Sequence, residues 1–148
     1  MTNEQVHVLI ADDDADDRDL FVDAVNEVKQ NTKVITVKGG IELMDYLTAN
    51  ENRAPDVLFL DLNMPQKNGM QCLGEIKANN KLKDMAVVIY STSSASHDIE
   101  ATFLKGANVY LQKPNDFAKL KKAISEVITI NWQYQTSNLN RDNFILSI

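Results

Sequence analysis

The sequence has a single cysteine, no long apolar run and no excess of basic residues. Cys72 cannot form an internal disulfide, and no CxxC pair or Cys/His cluster suggests a zinc or redox site. No apolar run reaches the roughly 18 residues that span a bilayer, and the N-terminus lacks the pattern of a signal peptide. These absences argue against secretion and membrane insertion, and they predict a cytoplasmic protein.

Acidic residues predominate, and they are concentrated near the N-terminus. The net charge of −6 disfavours nucleic acid as a partner, because binding to the phosphate backbone needs a basic face. Residues 1–25 hold eight Asp or Glu and one basic residue, Arg18. Five of these acids lie in ADDDADD at 11–17, directly after the apolar run at 6–10. So much like charge indicates either a solvated loop or a site for something positive.

The chain shows no internal repeat, low-complexity stretch or linker, and its 148 residues fit one domain. We predict a folded body at 1–132 and a C-terminal tail at 133–148, too short for a second domain. The apolar end of the tail, NFILSI at 143–148, could dock on the body or on a partner. The tail is therefore predicted to be docked or partner-binding.

Short apolar runs alternate with segments of helical period, which is typical of an α/β domain with a parallel sheet. Five strands are predicted, at 6–11, 33–37, 56–60, 86–90 and 108–112. The first helix has an apolar stripe that includes Leu20, Phe21, Ala24, Val25 and Val28. A fourth helix near 96–105 has the weakest stripe, with Ile99 and Phe103 as its main anchors. The pattern predicts a doubly wound five-stranded parallel sheet with helices on both faces.

The residues that follow the first, third, fourth and fifth predicted strands are the candidates for a functional site. They are Asp12, Asp13 and Asp14 after the first, Asp61 after the third, Ser91 and Thr92 after the fourth, and Lys113 and Pro114 after the fifth. The carboxyl ends of parallel strands lie at one edge of the sheet, where ligands bind. Hard oxygen ligands gathered there suit Mg²⁺, which would also relieve the repulsion among the carboxylates.

Asp61 is the candidate nucleophile of this edge. Beside the acids of the first strand it could attack phosphorus and form an aspartyl phosphate, with Lys113, Ser91 and the metal sharing the phosphoryl charge. Each piece also has a simpler interpretation: a solvated loop with Asp14 as a helix cap, an aspartate that opens a turn, a surface lysine, and capping hydroxyls. All of these pieces at successive strand ends are stronger evidence than any one alone.

The chain resembles a response regulator receiver domain over 6–132. The resemblance lies in LIADDD at 9–14, DLNMPQKNG at 61–69, VVIYSTS at 87–93 and GANVYLQKP at 106–114. It implies a flavodoxin-like strand order, 2-1-3-4-5, and a stand-alone response regulator of a two-component phosphorelay. It further implies Mg²⁺ as cofactor, a histidine kinase or histidine phosphotransfer protein as phosphoryl donor, and a downstream protein as target.

The resemblance also implies roles for the residues of the site. Asp61 would be the phosphoacceptor, in a chain that catalyses its own phosphorylation and dephosphorylation. Asp12 and Asp13 would hold Mg²⁺ together with Asp61 and the backbone carbonyl of Asn63. Lys113 would contact the phosphoryl group.

Ser91 is taken as the switching hydroxyl in preference to Thr92, because it directly ends the fourth strand, and Tyr110 as the aromatic that follows it. The Lys113–Pro114 peptide would be cis, which proline permits. Many family members have Ala or Gly where this chain has Thr92, and the larger side chain would restrict access to the site and alter dephosphorylation. The face made by the fourth helix, fifth strand and fifth helix would be read by partners and could form a homodimer.

The segment 61–77 with KPNDF at 113–117 and Trp132 is similar to small regulators that partner phytochrome-type histidine kinases. Three alternatives remain at this point. A phosphatase or mutase of the haloacid dehalogenase type also forms an aspartyl phosphate, but such enzymes typically carry a second Asp where this chain has Asn63. A flavodoxin-like cofactor carrier would place phosphate in the loop after the first strand, where carboxylates repel it. A pseudo-receiver that only binds partners would not need the full acidic set.

Overall fold

The computed structural model describes residues 5–28, 31–49, 53–129 and 144–146. The elements in chain order are β1 (Val6–Ala11), α1 (Ala15–Glu27), β2 (Thr32–Val37), α2 (Gly40–Thr48), β3 (Val57–Leu60), α3 (Gly69–Ala78), β4 (Ala86–Ser91), α4 (Ser96–Leu104), β5 (Val109–Gln112) and α5 (Phe117–Thr129). Each predicted strand is found, with no end displaced by more than one residue. Trp132 and most of the predicted tail lie outside the described residues.

The five strands form one parallel sheet in the order β2-β1-β3-β4-β5, which confirms the predicted fold. Every residue of β3 and β4 is buried. Central strands covered on both faces are continuous apolar runs, and this is why the sequence located them. The direction of winding reverses between β1 and β3, so the crevice of the sheet lies where those two strands end.

Two apolar clusters lie on opposite faces of the sheet. One contains residues of α2 and α3 packed against Leu58 and Leu60, with α4 at its margin. The other contains residues of α1 and α5 packed against Val57 and Phe59. Successive side chains of β3 thus point to opposite faces of the sheet, and both faces are covered by helices. Packing on both faces therefore holds the ends of the strands in place.

Helix α1 begins at the acidic run. The Asp14 side chain is its N-cap and accepts a hydrogen bond from Asp17 N at 3.1 Å. Phe21 and Val25 are buried, but Leu20 is 48% exposed, so its predicted place in the buried stripe is wrong. The buried face of α1 contains Phe21, Ala24 and Val25. Successive residues of a helix are about 100° apart around its axis, and Leu20 therefore lies at the margin of that face.

Three residues near the C-terminus lie along β5. Tyr110 N donates to Phe144 O at 3.0 Å, and Leu146 N donates to Tyr110 O at 3.0 Å. Tyr110 and Ile145 form a parallel bridge. The fully buried Phe144 ring packs edge-on against Phe103 and Tyr110, with centroids 5.2 and 6.2 Å away. This segment thus satisfies both backbone polar groups of Tyr110 at the edge of the sheet.

Candidate functional site

The carboxyl edge of the sheet gathers residues that are far apart in the sequence. Asp12 follows β1, Asp61 follows β3, Ser91 ends β4 and Lys113 follows β5. Asp61 N donates to Ala11 O at 3.0 Å, and Lys113 N donates to Ser91 O at 2.7 Å. These hydrogen bonds continue the strand pairing by one residue beyond β3 and β5. The backbone of Asp61 and of Lys113 is therefore held by the sheet.

Three carboxylates lie close enough to share one metal ion. One ligand oxygen from each of Asp12, Asp13 and Asp61 lies within 4.8 Å of the other two. Asp12 is fully buried and Asp61 is 5% exposed, whereas Asp13 is exposed. Asp12 Oδ1 accepts from Asp14 N at 3.0 Å, and Asp61 Oδ1 accepts from Asn63 N at 3.2 Å. Each buried carboxylate therefore has one oxygen fixed by a backbone N–H.

Lys113 contacts the acidic cluster directly. Its Nζ lies 2.8 Å from Asp12 Oδ2, 2.8 Å from Asp17 Oδ2 and 3.7 Å from Asp61 Oδ2. The contact with Asp17 is an aligned hydrogen bond, whereas the contact with Asp12 is an ion pair without that alignment. Among the described residues Asp12 Oδ2 therefore has no aligned donor. A buried acceptor in this state costs free energy, and a divalent cation beside three carboxylates would satisfy it.

Burial raises the pKa of the Asp61 carboxyl to about 6. The charge of Lys113 lowers this pKa, while the charge of Asp12 raises it further. Loss of water and a second carboxylate both penalise the ionised form. A bound cation would reverse the penalty and favour the carboxylate, which is the nucleophilic form.

An aromatic ring lies beneath Lys113. The Nζ atom is 5.3 Å from the centroid of Tyr90, within the range of a cation–π interaction. Burial alone would lower the pKa of Lys113, but the carboxylates of Asp12 and Asp17 outweigh it and raise the pKa well above its usual value. Lys113 is therefore a permanent positive charge at the edge of the acidic cluster.

The predicted switch residues are linked through one loop. Ser91 is fully buried, and its Oγ accepts from Ser93 N at 3.1 Å. Thr92 is exposed. The Tyr110 hydroxyl donates to Ser93 O at 2.9 Å, and the Tyr110 ring is buried. Ser93, which the sequence did not single out, thus connects the two.

The prediction of a cis peptide between Lys113 and Pro114 is wrong, because the described residues contain no cis peptide. The trans form is the lower in energy even before proline, by about 0.5–1 kcal/mol. Lys113 reaches its carboxylate partners from the trans backbone. The carbonyl of Asn63 as a metal ligand stays a prediction.

Two further residues of the site were missed by sequence reasoning. Asp17 lies in the first turn of α1, within the acidic run at 11–17, and that run was the signal that could have drawn attention to it. Tyr90 has no comparable signal. An aromatic residue in an apolar strand is read as core, and Tyr90 does pack in the core as well as under Lys113.

A separate cleft of about 570 Å³ lies near the amino ends of β3 and β4, and its lining includes Tyr46, Arg53, Asn79 and Leu82. None of the acidic cluster lines it. Ligands of open parallel sheets bind at the carboxyl edge, so this cleft is the weaker candidate. Within the described part of the chain, no helix has the length and apolar character needed to cross a membrane.

Comparison with known proteins agrees with this geometry. The family model for the response regulator receiver domain matches residues 8–125. Response regulator Rcp1 of Synechocystis sp. is 32% identical over 127 residues, which cover 83% of this chain and 86% of that protein. A chemotaxis protein CheY homolog of Campylobacter jejuni is 27% identical over 121 residues, which cover 82% of this chain and 91% of that protein.

Solved structures show the same likeness. The phosphorylated cyanobacterial phytochrome response regulator RcpA is 30% identical with a TM-score of 0.77, over 93% of this chain and 98% of that one. The Mn²⁺-bound form of response regulator Rcp1 is 28% identical with a TM-score of 0.75, over 82% of this chain and 91% of that one. One of these relatives was thus solved phosphorylated and the other with a divalent cation.

Proposed function

The chain belongs to the response regulator receiver domain family, whose members accept a phosphoryl group on an aspartate in two-component signalling, and we propose that its acceptor is Asp61. One observation carries this proposal. Asp61 is buried at the end of β3, within metal-sharing distance of Asp12 and Asp13 and 3.7 Å from Lys113 Nζ. The donor is the phosphohistidine of a histidine kinase or histidine phosphotransfer protein.

In the transfer step a carboxylate oxygen of Asp61 attacks phosphorus, the phosphorus–nitrogen bond to histidine breaks, and an acyl phosphate forms. Lys113 stabilises the charge on the phosphoryl oxygens, because its permanent charge already lies beside the attacking carboxylate. In the reverse sense, water attacks phosphorus, the bond between phosphorus and the Asp61 oxygen breaks, and inorganic phosphate leaves while the Asp61 carboxylate is restored, with the same groups stabilising the charge. The chain thus catalyses its own phosphorylation and dephosphorylation.

The cofactor is Mg²⁺, with Asp12, Asp13 and Asp61 as side-chain ligands and the Asn63 carbonyl as a backbone ligand. Support comes from the three clustered carboxylates and from the buried Oδ2 of Asp12 that has no aligned donor. An all-oxygen ligand set is the one that Mg²⁺ prefers. When bound, the cation supplies positive charge that offsets the carboxylates and the phosphoryl oxygens.

Ser91 is the switching hydroxyl and Tyr110 the aromatic that responds to it. Phosphoryl oxygens on Asp61 would attract the Ser91 hydroxyl and shift the loop that follows it. Since the Tyr110 hydroxyl donates to Ser93 O, a shift of that loop moves the hydrogen-bond acceptor of Tyr110. Thr92 is exposed beside this loop, where its side chain would slow the access of water to the phosphoryl group.

The receiver body occupies 1–132, with the tail at 133–148 docked on it or offered to a partner. Burial of Phe144 against α4 and β5 supports docking. The phosphorylated chain signals by protein contact, through the face made by α4, β5 and α5. This face binds a downstream target or a second copy of the chain, and the chain does not contact nucleic acid or membrane directly. The likeness to the phytochrome response regulator RcpA favours a phytochrome-type kinase as the donor. A cytoplasmic location stays a prediction.

Labelling by acetyl phosphate and Mg²⁺, followed by intact mass spectrometry, tests the assignment of Asp61. The wild-type chain should gain the mass of one phosphoryl group, and Asp61→Ala should gain none. Asp84→Asn removes an exposed carboxylate from the loop after α3 and should be labelled like the wild type. Persistent labelling of Asp61→Ala would refute the assignment, and phosphotransfer profiling against purified histidine kinases would identify the donor.

A further inference from the structure

We propose that Asp17 is a positioning residue that holds the ammonium group of Lys113, and thereby sets the balance between cation affinity and phosphoryl acceptance at Asp61. This inference rests on the proposed function. Asp17 lies in the first turn of α1, outside the three carboxylates that could share a metal ion. Its Oδ2 accepts the hydrogen bond of Lys113 Nζ at 2.8 Å.

The Lys113 head group is held by Asp17 as well as by Asp12. Both carboxylates lie 2.8 Å from Nζ, but only the contact with Asp17 is aligned as a hydrogen bond. The three protons of an ammonium lie at fixed angles to one another, so a hydrogen bond to one acceptor limits where the other two protons can point. Asp17 thus keeps Lys113 close to the acidic cluster while Asp12 Oδ2 stays without an aligned donor.

Loss of the Asp17 carboxylate should weaken cation binding for two reasons. Of the three carboxylates that Lys113 now contacts, Asp12 and Asp61 would remain. Its ammonium would then compete with the cation for Asp12 Oδ2. The site would also lose one negative charge next to the cluster, and that charge attracts a divalent ion.

The same loss should favour the phosphoryl group. The Asp17 carboxylate competes with phosphoryl oxygens for Lys113, and its negative charge repels an anionic phosphoryl donor. Without it, Lys113 is free to turn towards Asp61, where charge develops during transfer. The two effects have opposite signs, whereas damage to the fold would impair both cation binding and labelling.

Asp17→Asn tests this proposal, because it removes the charge and keeps the shape of the side chain. Asp16→Asn is the matched control: it removes the same charge from the same helical turn, at an exposed side chain that forms no ion pair with Lys113. Asp17→Glu restores the carboxylate. Calorimetric titration measures Mg²⁺ affinity without any donor. Labelling by acetyl phosphate at saturating Mg²⁺ measures the transfer, in which Asp61 attacks phosphorus and acetate leaves.

Asp17→Asn should raise the Kd for Mg²⁺ by roughly three- to fivefold and speed labelling by a similar factor, the upper end of the range for a partly exposed ion pair. Asp16→Asn should change either quantity by less than about twofold, and Asp17→Glu should resemble the wild type. Slower labelling of Asp17→Asn, or effects no larger than those of Asp16→Asn, would overturn the role of Asp17 alone. An unlabelled wild-type chain would instead overturn the proposed function.

Discussion

Asp61 lies in surroundings that disfavour its own charge. Burial raises its pKa from 3.8 to about 6, with Lys113 opposing and Asp12 adding to the shift. Between these two values the folded state holds more protons than the unfolded state, so stability falls as pH rises through this window. Above pH 6 the full cost of the ionised carboxylate is present, unless a cation is bound.

Asp61→Asn should therefore raise the free energy of unfolding at pH 7 in the presence of EDTA, by on the order of 1–2 kcal/mol. Asparagine has the shape of the carboxylate without its charge. The gain should shrink as pH falls from 7 to 4, because the wild-type carboxyl then becomes protonated. Urea unfolding monitored by circular dichroism measures this gain in stability, and Asp84→Asn, at an exposed carboxylate, is the control. A wild type at least as stable as Asp61→Asn at pH 7 would contradict the raised pKa.

The sequence predicted which residues meet at this edge, but not how each is oriented. Asp12 and Asp61 are neighbours because β1 and β3 are continuous apolar runs whose ends can be read, and Lys113 follows in the same way. The hydrogen bond from Lys113 to Asp17 could not be predicted. It depends on the rotation of α1 about its own axis and on the torsions of a long side chain.

Helix α3 begins directly against the backbone that carries Asp61. A Cβ on Gly69 would lie 2.2 Å from the carbonyl oxygen of Asp61 and 2.8 Å from Leu62 Cα, far inside contact distance. The helix is fixed there by a capping box, in which Asn68 and Gln71 exchange side-chain to backbone hydrogen bonds at 2.9 Å. The start of α3 and the segment after β3 therefore hold each other in place.

Gly69→Ala should lower the free energy of unfolding by about 2–4 kcal/mol, because backbone rather than a flexible side chain must move. It should also slow labelling of Asp61. Gly74→Ala in the same helix is the matched control, since its Cβ would meet only Lys105 Nζ at 3.9 Å. That control should gain about 0.5–1 kcal/mol and keep its labelling rate. Denaturant unfolding and acetyl phosphate labelling of both variants check this, and equal stabilities would contradict the close approach.

The positions of the elements were easier to predict than their packed faces. Helix α4 spans Ser96–Leu104, close to the predicted range, although few apolar residues marked it. The exposure of Leu20 was not predicted, because an apolar stripe shows how wide the buried face of a helix is but not how the helix is rotated relative to the sheet. The trans bond before Pro114 was also missed, since an energy difference of about 0.5–1 kcal/mol leaves no pattern in the sequence.

Across the whole molecule, the segment at 144–146 connects the far end of the chain to the switch region. Phe144 covers the ring of Tyr110, and the backbone of this segment pairs with both polar groups of that residue. The Tyr110 hydroxyl in turn donates to Ser93 O, in the loop that follows Ser91. Outward movement of the Tyr110 ring on this face would therefore require Phe144 to move as well.

Phe144→Ala should lower the free energy of unfolding by about 1–3 kcal/mol, less than a fully enclosed phenylalanine, because the end segment can detach instead of leaving a cavity. Detachment also leaves the N–H and C=O of Tyr110 unpaired at an edge strand, so self-association should rise with concentration. Ile145→Ala is the control: its half-exposed side chain is adjacent in sequence, and stability should change by less than about 0.5 kcal/mol. Urea unfolding and light scattering over a concentration series measure both effects. Two outcomes would contradict a protective role of Phe144 at the edge of β5. One is an Ile145→Ala variant that behaves like Phe144→Ala, and the other is a Phe144→Ala variant that neither loses stability nor self-associates.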